Sequence, residues 1–195
     1  MMKRSQMINE KDLKKMKEML LALMEAQKIV LLFFDEEDTE AFSCGFIGAV
    51  SSNEILIIHI DAFGEKDGFI VKRIEDIVKI EYDGKYSEKI GILDGLNRNK
   101  HEEKFEVQKG SLFLGMLAYA QENEKIVSIE LMESGNEDIV GYVKVMEGNF
   151  LTIKTVDYYG LFDGETIVEK DNITHLVCDG GREAVLNKLV QYRMK

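Results

Sequence analysis

The chain has 195 residues, 45% hydrophobic and 31% charged, with a formal net charge of −11. That composition fills a core and excludes a disordered chain. The longest apolar stretches, residues 29–34 and 55–60, are far short of the roughly 20 residues of a membrane-spanning helix. The N-terminal segment is charged and amphipathic, unlike a signal peptide, so the expected setting is the cytoplasm, with no membrane partner.

In chain order, the first pattern is helical. Leu13, Met16, Leu20, Leu23 and Met24 fall on one side of a helix that Asn9 is placed to cap. Five period-2 apolar runs follow at residues 28–34, 41–51, 54–62, 68–74 and 77–82, which predicts five short strands. Residues 85–110 are charged, glycine-spotted and without clear period, and read as a connecting stretch. A second helix opens at Ser111, with Leu114, Leu117, Ala118 and Gln121 on one side. Five more strand patterns follow at 125–131, 138–147, 150–158, 164–170 and 173–178. A third helix, 183–193, carries Val185, Leu186, Leu189 and Val190. With no proline in the chain, turns fall to Gly, Asn and Asp.

The strongest signal is a repeat. An offset of 96 residues brings Gly45, Asn53, Ile57, Asp61, Gly64, Asp67, Gly68, Ile77, Asp83 and Gly84 onto Gly141, Asn149, Ile153, Asp157, Gly160, Asp163, Gly164, Ile173, Asp179 and Gly180 without a gap. Five short strands in about 60 residues bury little on an open sheet, so a closed or nearly closed barrel is expected for each copy. The fold class is therefore mainly β with flanking helices (α+β). Residues 1–96 and 111–195 form two tandem helix-plus-five-strand units, with 97–110 as linker.

A helix followed by five strands, with Gly45 early in a long second strand and the closing segment at 68–80 echoed at 164–176, resembles the Sm-like family of small barrels. The resemblance implies edge-to-edge assembly. It also implies RNA contact through the turn between strands two and three and a basic turn after strand four, here Asn53 and Lys72-Arg73. The basic segments 11–17 and 188–195 would add to such a site. Charge weighs the other way: residues 28–84 hold five Lys and Arg against thirteen Asp and Glu, and residues 111–181 four against thirteen. Acidic barrels repel a polyanion. Nucleic acid is thus the alternative partner and protein the first one, by self-association or with another chain.

Comparing the copies picks out one surface. In the second copy Val127, Ile129 and Leu131 alternate with Ser128 and Glu130, whereas the first carries Leu31 and Phe33 at those polar positions, and Leu56 and Ile58 in place of Thr152 and Lys154. An apolar outer face needs a cover, each such side chain gaining about 1.5 to 3 kcal/mol on burial. The cover is either intramolecular, from the N-terminal helix, the C-terminal helix or the other copy, or a protein interface anchored on Leu31, Phe33, Leu56 and Ile58. A small-molecule or peptide site in the groove between copies is a third, weaker expectation.

No active site is legible, and neither a cofactor nor a metal is implied. His59 lies mid-strand opposite a Thr in the other copy, His175 matches Lys79, and His101 sits between Lys100 and Glu102. The run 35–38 lacks the ligand spacing of a cation loop. Asp61 and Asp157 with their glycines read as turn formers rather than as an acid-base pair. Cys44 and Cys178 read as small buried hydrophobes, and no phosphate-binding glycine motif or activated nucleophile is present.

Overall fold

The computed structural model describes residues 9–38, 40–97, 110–132, 134–135 and 138–195. Its elements are α1 (Glu10–Glu25), β1 (Ile29–Phe33), β2 (Ser43–Val50), β3 (Glu54–Ile60), β4 (Lys66–Arg73), β5 (Lys79–Tyr82) and α2 (Lys85–Asn97), then α3 (Leu112–Glu122), β6 (Ile126–Leu131), β7 (Ile139–Glu147), β8 (Phe150–Val156), β9 (Phe162–Glu169), β10 (Ile173–Cys178) and α4 (Gly181–Arg193). By contact the chain divides into two compact units, Met1–Asp67 with Lys72–Val107 and Gly68–Val71 with Gln108–Lys195.

The mainly β architecture with flanking helices holds, but the two Sm-like barrels do not. The strands form a single ten-stranded antiparallel open sheet in the order β5-β1-β2-β3-β4-β10-β6-β7-β8-β9. Closing a five-stranded barrel would require β4 to return to β5. The outer edge of β4 is taken by β10 instead, so its hydrogen bonds are satisfied without closure.

The same connectivity nonetheless occurs twice, with matching registers. β1 pairs β2 with Val30 opposite Gly45, and β6 pairs β7 with Val127 opposite Gly141. β2 and β7 each carry a bulge at the equivalent place, between Ile47 and Ala49 and between Val143 and Val145. Gly45 and Gly141 allow β3 and β8 to come close: a Cβ would lie 2.0 Å from the Ile58 carbonyl oxygen at one and 2.2 Å from that of Lys154 at the other.

Helix capping follows the sequence reading. The Asn9 side chain accepts a hydrogen bond from the Asp12 amide, and Ser111 accepts one from the Leu114 amide. The buried face of α3, however, is Leu112, Phe113, Met116, Leu117 and Ala120, while Leu114 is exposed. A helix this uniformly apolar has no polar face to orient it, so its contact with β7 selects the buried stripe. In α4 the buried residues are Glu183, Leu186 and Val190, and Val185 and Leu189 face outward.

The larger correction concerns residues 85–110. Residues 85–97 are not linker but the helix α2, which packs on β1, just as α4 packs on β6; residues 98–109 lie outside the described residues. Each helix starts just after an Asp in the left-handed region, Asp83 (φ 57°) and Asp179 (φ 59°). Each Asp also binds the lysine that opens its repeat. Lys28 Nζ lies 2.8 Å from Asp83 Oδ1 at an exposed pair, and Lys125 Nζ lies 3.0 Å from Asp179 Oδ1 at a half-buried one. Asparagine tolerates the left-handed conformation, so Asp→Asn isolates the charge. Asp83→Asn is expected to cost no more than about 0.5 kcal/mol in urea unfolding, and Asp179→Asn about 1.5–3 kcal/mol, because it removes a carboxylate from a half-buried ammonium.

Candidate functional site

The four residues expected to anchor an interface are mostly interior. Leu31, Phe33 and Leu56 are 5, 4 and 1% exposed. Leu31 and Phe33 form a cluster with Cys44, Ile60 and Ile90, flanked by Ile29, Phe46 and Tyr86. Ile90 and Tyr86 belong to α2, so the apolar outer face of β1 is covered from within the first unit by the helix that follows its last strand. Aromatic contacts extend the cover: Phe42 lies 5.4 Å from Phe33 and 5.2 Å from Tyr86, centroid to centroid. Ile58 alone of the four is half-buried and lines an open cleft. Burial also pushes the Cys44 thiol up to about 11, which leaves it protonated and unreactive at neutral pH.

The second unit answers the same packing problem with polar groups. Ser128, at the position equivalent to Leu31, is buried and donates a hydrogen bond to Glu183 of α4, itself buried. Here the polar alternation of β6 does not mark a solvated face. It marks a buried pair whose members satisfy one another.

The residues of the RNA alternative do come near one another, because the Ile74 amide donates to the Asn53 carbonyl at 2.9 Å. Their charges are used locally: Lys72 Nζ stands 4.3 Å from the centroid of the Phe34 ring, and an Arg73 guanidinium nitrogen lies 4.0 Å from Glu75.

The remaining polar candidates make local contacts. Asp61 accepts from the Phe63 and Glu65 amides, and Asp157 from those of Tyr159 and Leu161, the same turn made twice. In the acidic run, Asp35 accepts from the Glu37 amide and Asp38 from those of Glu40 and Ala41. His59 Nδ1 lies 3.1 Å from Asp67, and His175 Nδ1 lies 3.4 Å from Glu130. His101 is outside the described residues. Among the described residues no group of three or more His, Cys, Asp or Glu is arranged to hold a metal ion, and no helix is long and apolar enough to cross a membrane.

The candidate site that sequence reasoning missed is the pair of sheet edges. β9 and β5 are the terminal strands of the strand order. Each is the repeat equivalent of a strand that has a neighbour, since residues 68–71 of β4 run beside β10 within the second unit. Exposure records the difference. Val71 of β4 is 0% exposed, and its equivalent Ile167 of β9 is 67% exposed; Cys178 of β10 is 0% exposed, and its equivalent Tyr82 of β5 is 50% exposed. The glycines agree. A Cβ on Gly68 would lie 2.4 Å from both the Cys178 oxygen and the Gly180 nitrogen, whereas Gly164, with the same left-handed φ, has nothing within 4 Å. No signal in the sequence alone distinguishes Gly68 from Gly164; the strand order does.

Comparison of the chain with protein-family models, curated proteins and solved structures finds no match.

Proposed function

We propose that this chain is a non-catalytic assembly module that acts by protein–protein contact, its first partner being a further copy of itself. The observation that carries the reading is the open edge of β9, an eight-residue strand with exposed Phe162 and Ile167 and no neighbour on its outer side among the described residues. An exposed strand edge is a row of unpaired amides and carbonyls and therefore a template for another strand. The strand that fits it is β5 of a second copy, because β5 corresponds to the β10 that lies along β4. Joining unlike edges is a head-to-tail association, which forms a ring when its rotation closes and a filament when it does not. The acidic repeats and the local use of Lys72 and Arg73 support protein rather than nucleic acid as the partner.

The test is native mass by light scattering across protein concentration, for the parent chain and for Ile167→Lys. Ile167 is exposed, so its replacement should alter unfolding by no more than about 0.5 kcal/mol. Particles at multiples of 22.3 kDa that fall to single chains in Ile167→Lys are expected. A parent chain that stays monomeric at the highest concentration overturns the reading and assigns Glu165 and Glu169 on β9 the role of charges that blunt an edge.

A further inference from the structure

The joint proposed between copies has a counterpart within the second unit, where residues 68–71 of β4 lie beside β10. There Gly68 comes to the start of a helix: a Cβ on it would lie 2.4 Å from the Gly180 nitrogen, and α4 begins at the next residue, Gly181. The offset of 96 residues carries Gly68 onto Gly164 and takes Gly180 back to Gly84, after which α2 begins at Lys85. If β9 takes β5 of a second copy, Gly164 therefore meets Gly84 of that copy. In an antiparallel joint the residue before one of these glycines lies opposite the residue after the other. Those two residues are Asp163 and Lys85.

Charge singles out the same two residues. Most charged groups on the two edges are already paired within one chain: Glu165 with Lys144, Lys79 with Glu81 and Asp83 with Lys28. Asp163 and Lys85 are exposed, and neither side chain is bound to another of the described residues. Glu169, the other carboxylate of β9 outside these pairs, lies at the far end of the strand. The cation belongs to the free edge alone, because Gly181 holds the position of Lys85 at the internal joint. The Asp163 carboxylate would also face the first turn of α2, where free backbone amides favour a negative charge. Opposite charges across a strand joint stabilise it and like charges destabilise it, so the signs at these positions decide which edges join.

We infer that Asp163 of one copy pairs with Lys85 of the next, and that this pair selects β5 as the strand β9 accepts; the inference rests on the self-association proposed above. The test is native mass by light scattering for the parent chain, for Asp163→Lys, for Lys85→Glu and for an equal mixture of the two variants. Alone, each variant sets like charges opposite one another and should weaken association by about tenfold. Mixed, each supplies the charge that the other now requires, so the mixture should regain the mass of the parent. Circular dichroism checks folding. Asp163→Asn and Lys85→Gln, which each remove one charge, serve if a reversal fails to fold, and should weaken association about twofold to threefold. Parent chains that stay single at every concentration overturn the self-association and this pair together. A parent that assembles, with charge variants that assemble equally well or a mixture that stays dissociated, overturns the pair alone.

Discussion

Ile90→Ala is expected to destabilise the first unit by about 2–5 kcal/mol, the usual cost of emptying a fully buried aliphatic site. Ile90 lies between Leu31, Phe33, Cys44 and Ile60 on the sheet, and no part of it is exposed. Its helix neighbours supply the control. Ile92 and Leu96 are 61 and 76% exposed, so their alanine variants should fall within about 0.5 kcal/mol of the parent. The contrast separates a helix that completes the core from one that merely connects the repeats. If α2 were dispensable, all three variants would unfold at the same urea concentration. If it covers β1, Ile90→Ala alone should move the midpoint, and it should also expose Cys44 to thiol reagents, since burial is what holds that thiol up at about 11.

The reason α2 is hard to read from sequence lies in its residues. Gly91 and Gly95 interrupt it, and Ile92 and Leu96 place apolar side chains on the solvent face, so the apolar period that marks α1 is blurred. The repeat held the missing information: the offset that aligns Asp83-Gly84 with Asp179-Gly180 continues through Ile90 to Leu186 and Leu93 to Leu189. Both helices even use one contact twice, because a Cβ on Gly64 would strike Leu93 and one on Gly160 would strike Leu189. The ten strands were legible because period-2 alternation is local and each was bounded by Gly, Asn or Asp. Closure was not, because whether β4 meets β5 or β10 depends on pairing between segments far apart in sequence, on which alternation is silent. The inside and outside of β6 misled for a related reason. A serine that donates to a buried glutamate has the same one-letter code as a serine in water, and only α4 distinguishes them.

Gly68→Ala and Gly164→Ala are expected to diverge sharply although the two glycines are repeat equivalents with φ of 74° and 83°. At Gly68 a methyl group would meet backbone atoms of Cys178, Asp179 and Gly180 at 2.4–2.5 Å, and backbone cannot swing aside as a side chain can. Strain at positive φ and the collision together should cost about 3 kcal/mol or more, read as a lowered unfolding midpoint. At Gly164 only the conformational part remains, about 1–2 kcal/mol, because the space around it is open. If the outer edge of β9 takes β5 of a second copy, the backbone of Asp83-Gly84 from that copy comes to Gly164 as Asp179-Gly180 comes to Gly68. Gly164→Ala should then remain folded and lose association, seen as light-scattering mass falling to that of one chain while the circular dichroism spectrum is kept. Association that survives Gly164→Ala would place the contact elsewhere on the chain.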